Sequence, residues 1–228
     1  MIPPKLQIAG PHCVDIWSIK LTDNTYDTAA LITLLDQREQ KRYQRLHPNH
    51  QHRYLLSHYA CRQILSRYCQ IAANEILFNL NQHGKPTVTG SDIQFNLSHS
   101  HDLAIVAISA SNDIGVDVEY LKPKPHWQKL AKRFFNPDEI DYLNQQAEDR
   151  QLMAFFQLWT RKEAFIKALG TGLSTPLHSF NSSGGDQVKL DSDNKSHWYQ
   201  NDLILASPYI GSVVQNTKIK KIRYYSYA

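Results

Sequence analysis

The residues of this chain best suited to chemistry are two carboxylates two positions apart, Asp117 and Glu119 in G-V-D-V-E, and a third, Glu163, inside W-T-R-K-E-A-F-I-K. Hard carboxylate oxygens beside ammonium groups such as Lys167 suit a divalent cation and a phosphorylated substrate. On a strand, alternation sends Asp117 and Glu119 to one face and Val116 and Val118 to the other. On a helix, Trp159, Glu163 and Lys167 recur every fourth residue and share a face. With a turn of about 100° per residue, Leu152, Phe155, Phe156, Trp159 and Ile166 form an apolar stripe, and Glu163 falls near its centre. Leaving an ionised carboxylate there costs several kcal/mol, so it needs a cation, hydrogen bonds or a metal. Alone, it would read as a structural ion pair with Lys162, Lys167 or a core arginine. The company of Asp117 and Glu119 favours the metal.

The elements that must position these groups are a strand, Ile114–Tyr120, and a helix over about 149–169 that stops at Gly170, a natural C-terminal cap. Between them lie a proline-containing loop at 122–127 and helical pieces at 127–135 and about 136–146, the second opening on Asn136 and Pro137. Upstream, a strand is expected at 12–21, one helix over 27–46 and another over about 51–69. A short strand at 76–80, a G-K-P turn at 84–86 and a strand end at 95–100 follow. With three residues between them, 95–100 and Leu103–Ser109 resemble an antiparallel hairpin. Short β-prone runs at 203–206 and 222–225 occupy the tail.

The 228 residues can bury a sizeable core, and 42% hydrophobic with 20% charged residues is the composition of an ordinary globular protein. A formal charge of +4 favours an anionic partner without choosing its class. Cys13, Cys61 and Cys69 are odd in number and lack a C-x-x-C pair, which argues against a disulfide framework or a zinc site. The opening M-I-P-P-K-L-Q-I-A-G lacks the apolar run of a secretory signal, and no segment approaches a membrane span. A cytoplasmic protein with no membrane partner is expected.

G-V-D-V-E followed by W-T-R-K-E-A-F-I-K-A-L-G resembles the paired signature of the Sfp-type 4′-phosphopantetheinyl transferases. G-K-P at 84–86, N-L-S-H-S at 96–100 and G-T-G-L-S at 170–174 extend the likeness in order. The resemblance implies an α+β fold of two similar subdomains in a pseudo-twofold arrangement, 1–112 and 113–228, with the active site in the cleft between them. It implies magnesium held by Asp117, Glu119 and Glu163, with coenzyme A as co-substrate, and a monomer acting on an apo acyl or peptidyl carrier protein. It carries Lys167, Ser98 and His99 over to the coenzyme's phosphates, Lys85 and Pro86 to its adenine side, and Lys162 to the position beside the catalytic glutamate. Arg38, Lys41 and Arg53 correspond to contacts with the 3′-phosphate. Phe134, Phe135 and Glu139 resemble the family's F-F-x-x-x-E segment, and its aromatics are expected in the core. Glu163, or a water held by the metal, would act as base, and Glu119 would bind the metal directly or through water.

Other features carry less. Arg38, Lys41, Arg42 and Arg45 make one basic helical face, and most such faces are merely solvated. His47, His50, His52 and His58 lack the carboxylates or thiols that would complete a metal site. Two alternatives are a different magnesium-dependent nucleotide phosphotransferase, which would lack a Walker-type G-K-[ST] loop, and a basic nucleic-acid binder. The 12 tyrosines could stack on bases, but no recognisable binding module accompanies them, so no nucleic-acid partner is expected.

Overall fold

Local signals divide the first half of the chain into short, well-capped elements. The computed structural model describes residues 4–22, 26–190 and 197–227, so the first three residues of the opening segment lie outside it. In order come β1 (Cys13–Lys20), α1 (Thr28–Thr33), α2 (Gln37–Arg45), α3 (Pro48–Cys69), β2 (Phe78–Leu80), β3 (Pro86–Val88), β4 (Gln94–Ser100) and β5 (Leu103–Ser109). The single helix expected over 27–46 is two. Asp36 accepts the Glu39 N–H while the Glu39 carboxylate accepts the Asp36 N–H, and this capping box starts a new helix where periodicity alone ran on. The second predicted helix begins earlier than expected, at Pro48 behind the His47 cap.

The second half supplies β6 (Ile114–Tyr120), α4 (Trp127–Phe134), α5 (Pro137–Asn144), α6 (Glu148–Leu169), β7 (Phe180–Asn181), β8 (Gln187–Leu190), β9 (Trp198–Asp202), β10 (Tyr209–Gln215) and β11 (Lys221–Tyr227). Residues 203–206 are the connection between β9 and β10, not a strand. Ile204 is 83% exposed there, and Pro208, with no N–H to give a ladder, precedes β10.

Among the described residues, one sheet has the order β11-β1-β5-β4 and another β6-β10-β9-β8-β7, while β2 and β3 form a small hairpin ladder. The β4–β5 hairpin has the expected antiparallel register. The last strand returns to the first sheet and runs parallel to β1, where Arg223 pairs with the fully buried Asp15 at 2.7 Å. One face of the first sheet packs on α3 through Trp17, Ile19, Val106 and Ile64. Its other face, through Val14, Ile16, Ile105 and Ala107, shares a core with Val116, Val118 and Val213 of the second sheet. No helix among the described residues is long and apolar enough to cross a membrane. The architecture is therefore mixed α+β.

Candidate active site

Gly115 sets the distance between strand and helix. A Cβ at this position would lie 2.1 Å from the Ala164 carbonyl oxygen and 2.3 Å from the Ala168 nitrogen, so only glycine lets α6 rest on β6. Alternation then places Asp117 and Glu119 on the strand face that Gly115 presents to α6, while Val116 and Val118 enter the core shared by the sheets. Lys167 Nζ donates to Asp117 Oδ1 at 2.7 Å, to Ser98 Oγ at 3.0 Å and to the Val116 carbonyl at 3.2 Å.

Two of the three carboxylates, Glu119 and Glu163, are raised above their ordinary values. Partial burial pushes the Glu163 pKa above its ordinary value, and the charge of Asp117 pushes further, against the attraction of Lys167. Glu119 shifts in the same direction, first from burial and then from Asp117, opposed by the hydroxyl of Ser100. Glu163 carries no hydrogen bond or ion pair among the described residues, and Asp117 Oδ2 is buried without a partner. Close carboxylates with an orphaned buried oxygen are the donor set a hard divalent cation fits. Among the described residues no three such side chains already stand as a finished cation site. The ammonium of Lys167 supplies the positive charge next to Asp117.

Beside this cluster opens a cavity of about 890 Å³. Arg38, Lys41, Arg42 and Arg45 of α2 line one side, so this basic face looks onto a cavity. Pro86, Phe95 and Leu97 provide apolar wall, and His99 lines it on the side of Lys167. The His99 pKa is lowered, by partial burial first and then by the charges of His58, Lys167 and Arg53. Arg53 itself is held by Asp102, with two donors on Oδ1 at 2.8 and 3.2 Å. Lys85 does not line the cavity. Its ammonium donates to the Ala168 carbonyl at 2.6 Å, satisfying an orphan acceptor at the C-terminal end of α6.

Two other expected site residues have their polar atoms occupied within the protein. Lys162 is fully buried and donates at 2.7 Å to Glu139 Oε2 and to the carbonyls of Leu177 and Phe180. Those three acceptors exhaust an ammonium's donors, so its geometry is that of a core ion pair, away from the cavity. Ser98 donates to Asp117 Oδ1 at 2.9 Å while accepting from Val118 N–H and Lys167 Nζ, which fills its hydroxyl's capacity. Glu163, by contrast, is not buried at the centre of its apolar stripe. Phe155, Phe156 and Ile166 are buried, Trp159 packs on Phe134, Phe135 and Phe155, and the glutamate is half-buried beside Asp117 and Glu119.

Sequence reasoning missed the residues that hold the carboxylate strand. Asn96 Oδ1, Ser98 Oγ and Ser100 Oγ accept the N–H groups of Val116, Val118 and Tyr120 at 2.9, 3.3 and 3.0 Å, so side chains of β4 bridge to the edge of β6. Polar residues at every second position of N-L-S-H-S were the available signal. Glu139 is not among the expected site residues. Its place three residues beyond the Asn136 cap marks it as a capping-box partner, which it is, as well as the acceptor for Lys162.

Two family models match successive stretches of the chain: "4′-phosphopantetheinyl transferase, N-terminal" over residues 22–111 and "4′-phosphopantetheinyl transferase superfamily" over residues 113–214. The chain is 34% identical over 175 residues to the putative 4′-phosphopantetheinyl transferase slr0495 of Synechocystis, covering 74% of this chain and 70% of that protein. It is also 34% identical over 177 residues to 4′-phosphopantetheinyl transferase HetI of Nostoc, covering 75% and 74%. With 4′-phosphopantetheinyl transferase Sfp of Bacillus subtilis it shares 41% identity over 135 residues, 59% of each chain.

Proposed function

The chain belongs to the 4′-phosphopantetheinyl transferase superfamily, and from that premise we propose that it transfers the 4′-phosphopantetheine arm of coenzyme A to a serine of an apo acyl or peptidyl carrier protein. The products are the holo carrier and adenosine 3′,5′-bisphosphate. The observation that carries the reading is the joining of Asp117, Glu119, Glu163 and Lys167 beside a cavity with a basic rim. The other nucleotide phosphotransferase and the nucleic-acid binder are not favoured by the family.

Asp117, Glu119 and Glu163 would hold magnesium, which supplies neutralisation of the pyrophosphate charge when bound. The orphaned Asp117 Oδ2 supports that assignment. Arg38, Lys41 and His99 on the cavity wall would receive the coenzyme's phosphates, with Arg53 nearby. Lys167 would turn from Asp117 to a phosphate oxygen, exchanging one charge-assisted contact for another. Pro86 lines the adenine side of this reading, while Lys85 would contribute by fixing the turn against the end of α6.

Glu163 is our candidate base. It carries no hydrogen bond or ion pair among the described residues, so with one oxygen on the cation the other would be free to accept the serine's proton. As the serine oxygen bonds to the β-phosphorus, its proton passes to Glu163 and the bond to adenosine 3′,5′-bisphosphate breaks.

The reading extends to two subdomains, 1–112 and 113–228, in a pseudo-twofold arrangement around the cleft. The two family matches that meet at residues 111 and 113 support the division, although β11 returns to the first sheet. It extends also to a monomer working in the cytoplasm, in keeping with three free cysteines. Incubation with coenzyme A, magnesium and a panel of apo carriers tests the function. Intact-mass spectra should show a phosphopantetheine adduct on at least one carrier, and no adduct on any class would contradict it.

A further inference from the structure

Resting on the reading of Asp117 and Glu119 as cation ligands, we propose that Ser100 is a positioning residue, whose hydroxyl fixes one oxygen of Glu119 and leaves the other to face the cation. Ser100 Oγ accepts the Tyr120 N–H at 3.0 Å and donates to Glu119 Oε2 at 3.0 Å. An amide can only donate, so the hydroxyl's one proton is committed to the carboxylate. Two residues earlier the same arrangement recurs: Ser98 accepts the Val118 N–H and donates to Asp117 Oδ1. Each carboxylate therefore has one oxygen tied to a β4 hydroxyl. The other oxygen of Asp117, Oδ2, is buried without a partner, and Oε1 of Glu119 has no hydrogen bond among the described residues. Asn96, accepting the Val116 N–H, fixes the register that lets serines two apart meet carboxylates two apart. Both acids would then meet the cation through a single oxygen, with Glu119 a direct ligand.

Manganese binding to the coenzyme-free protein, followed by electron paramagnetic resonance, reads this without turnover. Ser100→Ala should weaken Mn2+ binding about 10- to 100-fold, the range for losing a group that orients a metal ligand. Ser100→Thr, which keeps the hydroxyl, should restore affinity to near that of the unaltered protein. Ser100→Cys, similar in shape but a weak donor, should fall between them, and it carries the test if the alanine variant does not fold. In a Glu119→Gln background, removing the Ser100 hydroxyl should add no further loss. Unaltered affinity in the alanine or cysteine variant overturns the proposal, as does an equal loss in both backgrounds, which would mark a structural role. If the unaltered protein binds no Mn2+, the cation reading fails and takes this proposal with it; binding that ignores Ser100 defeats the positioning role alone.

Discussion

At the scale of single residues, neighbouring lysines have opposite fates. Lys162 and Lys167 belong to one stretch of α6, yet Lys162 turns into the core to meet Glu139 and Lys167 turns to Asp117. The motif named both; burial separates them, and burial is a tertiary property that spacing along one helix does not encode. The difference is measurable. Lys162→Met should lower stability by about 3–5 kcal/mol, because it leaves Glu139 charged and buried without its cation. The Michaelis constant for coenzyme A of the folded fraction should stay unchanged. A normal melting temperature with a raised Michaelis constant would show that this lysine holds phosphate after all. Glu163 was legible as a carboxylate needing company, and its company proved to be other carboxylates and Lys167.

At the scale of elements, the site depends on how closely α6 approaches β6. Gly115→Ala would force backbone atoms apart by far more than a side-chain adjustment allows, since the new Cβ meets main chain at 2.1 Å. The expected outcome is a loss of at least about 3 kcal/mol in urea unfolding together with weakened divalent-cation binding. An alanine variant of ordinary stability would mean that the helix seat is not rigid. The start of α2 offers a pH test. Burial raises the Glu39 pKa, but the hydrogen bond and charge of His58 and the charge of Arg62 outweigh it and hold the group at about 2. A folded-state pKa below the unfolded value gives stability that is complete above about pH 4.5 and lost as pH falls towards 2. From the shift, Glu39 contributes about 3 kcal/mol at neutral pH. Urea unfolding of the unaltered protein and Glu39→Gln should therefore differ most near pH 7 and converge as pH falls towards 2. A constant difference across that range would show that the glutamate's charge is not what matters. The strands and helices carrying the motifs were legible because their apolar periods and caps are strong, as in Ile114–Tyr120. The break between α1 and α2 was hidden by continuous helix-forming residues, although the Asp36–Glu39 capping box was present in the sequence.

At the scale of the whole molecule, two sheets meet where Asn96, Ser98 and Ser100 bridge β4 to β6, and the carboxylates stand at that junction. Such side-chain bridging leaves no trace in hydrophobic periodicity, which is why the mode of joining was not readable. The same holds for β11, whose pairing with β1 brings Arg223 to Asp15 across almost the full length of the chain. The family, by contrast, was readable from ordered motifs, and both family models match where they lie. The account's central claim is that the carboxylates on β6 and α6 perform the transfer. Its most direct test is the initial rate of phosphopantetheine addition to an apo carrier, measured by intact mass for the unaltered protein and for Glu163→Gln at matched melting temperature. The account predicts full conversion by the first and none detectable by the second; a Glu163→Gln variant that converts the carrier at the unaltered rate would contradict it.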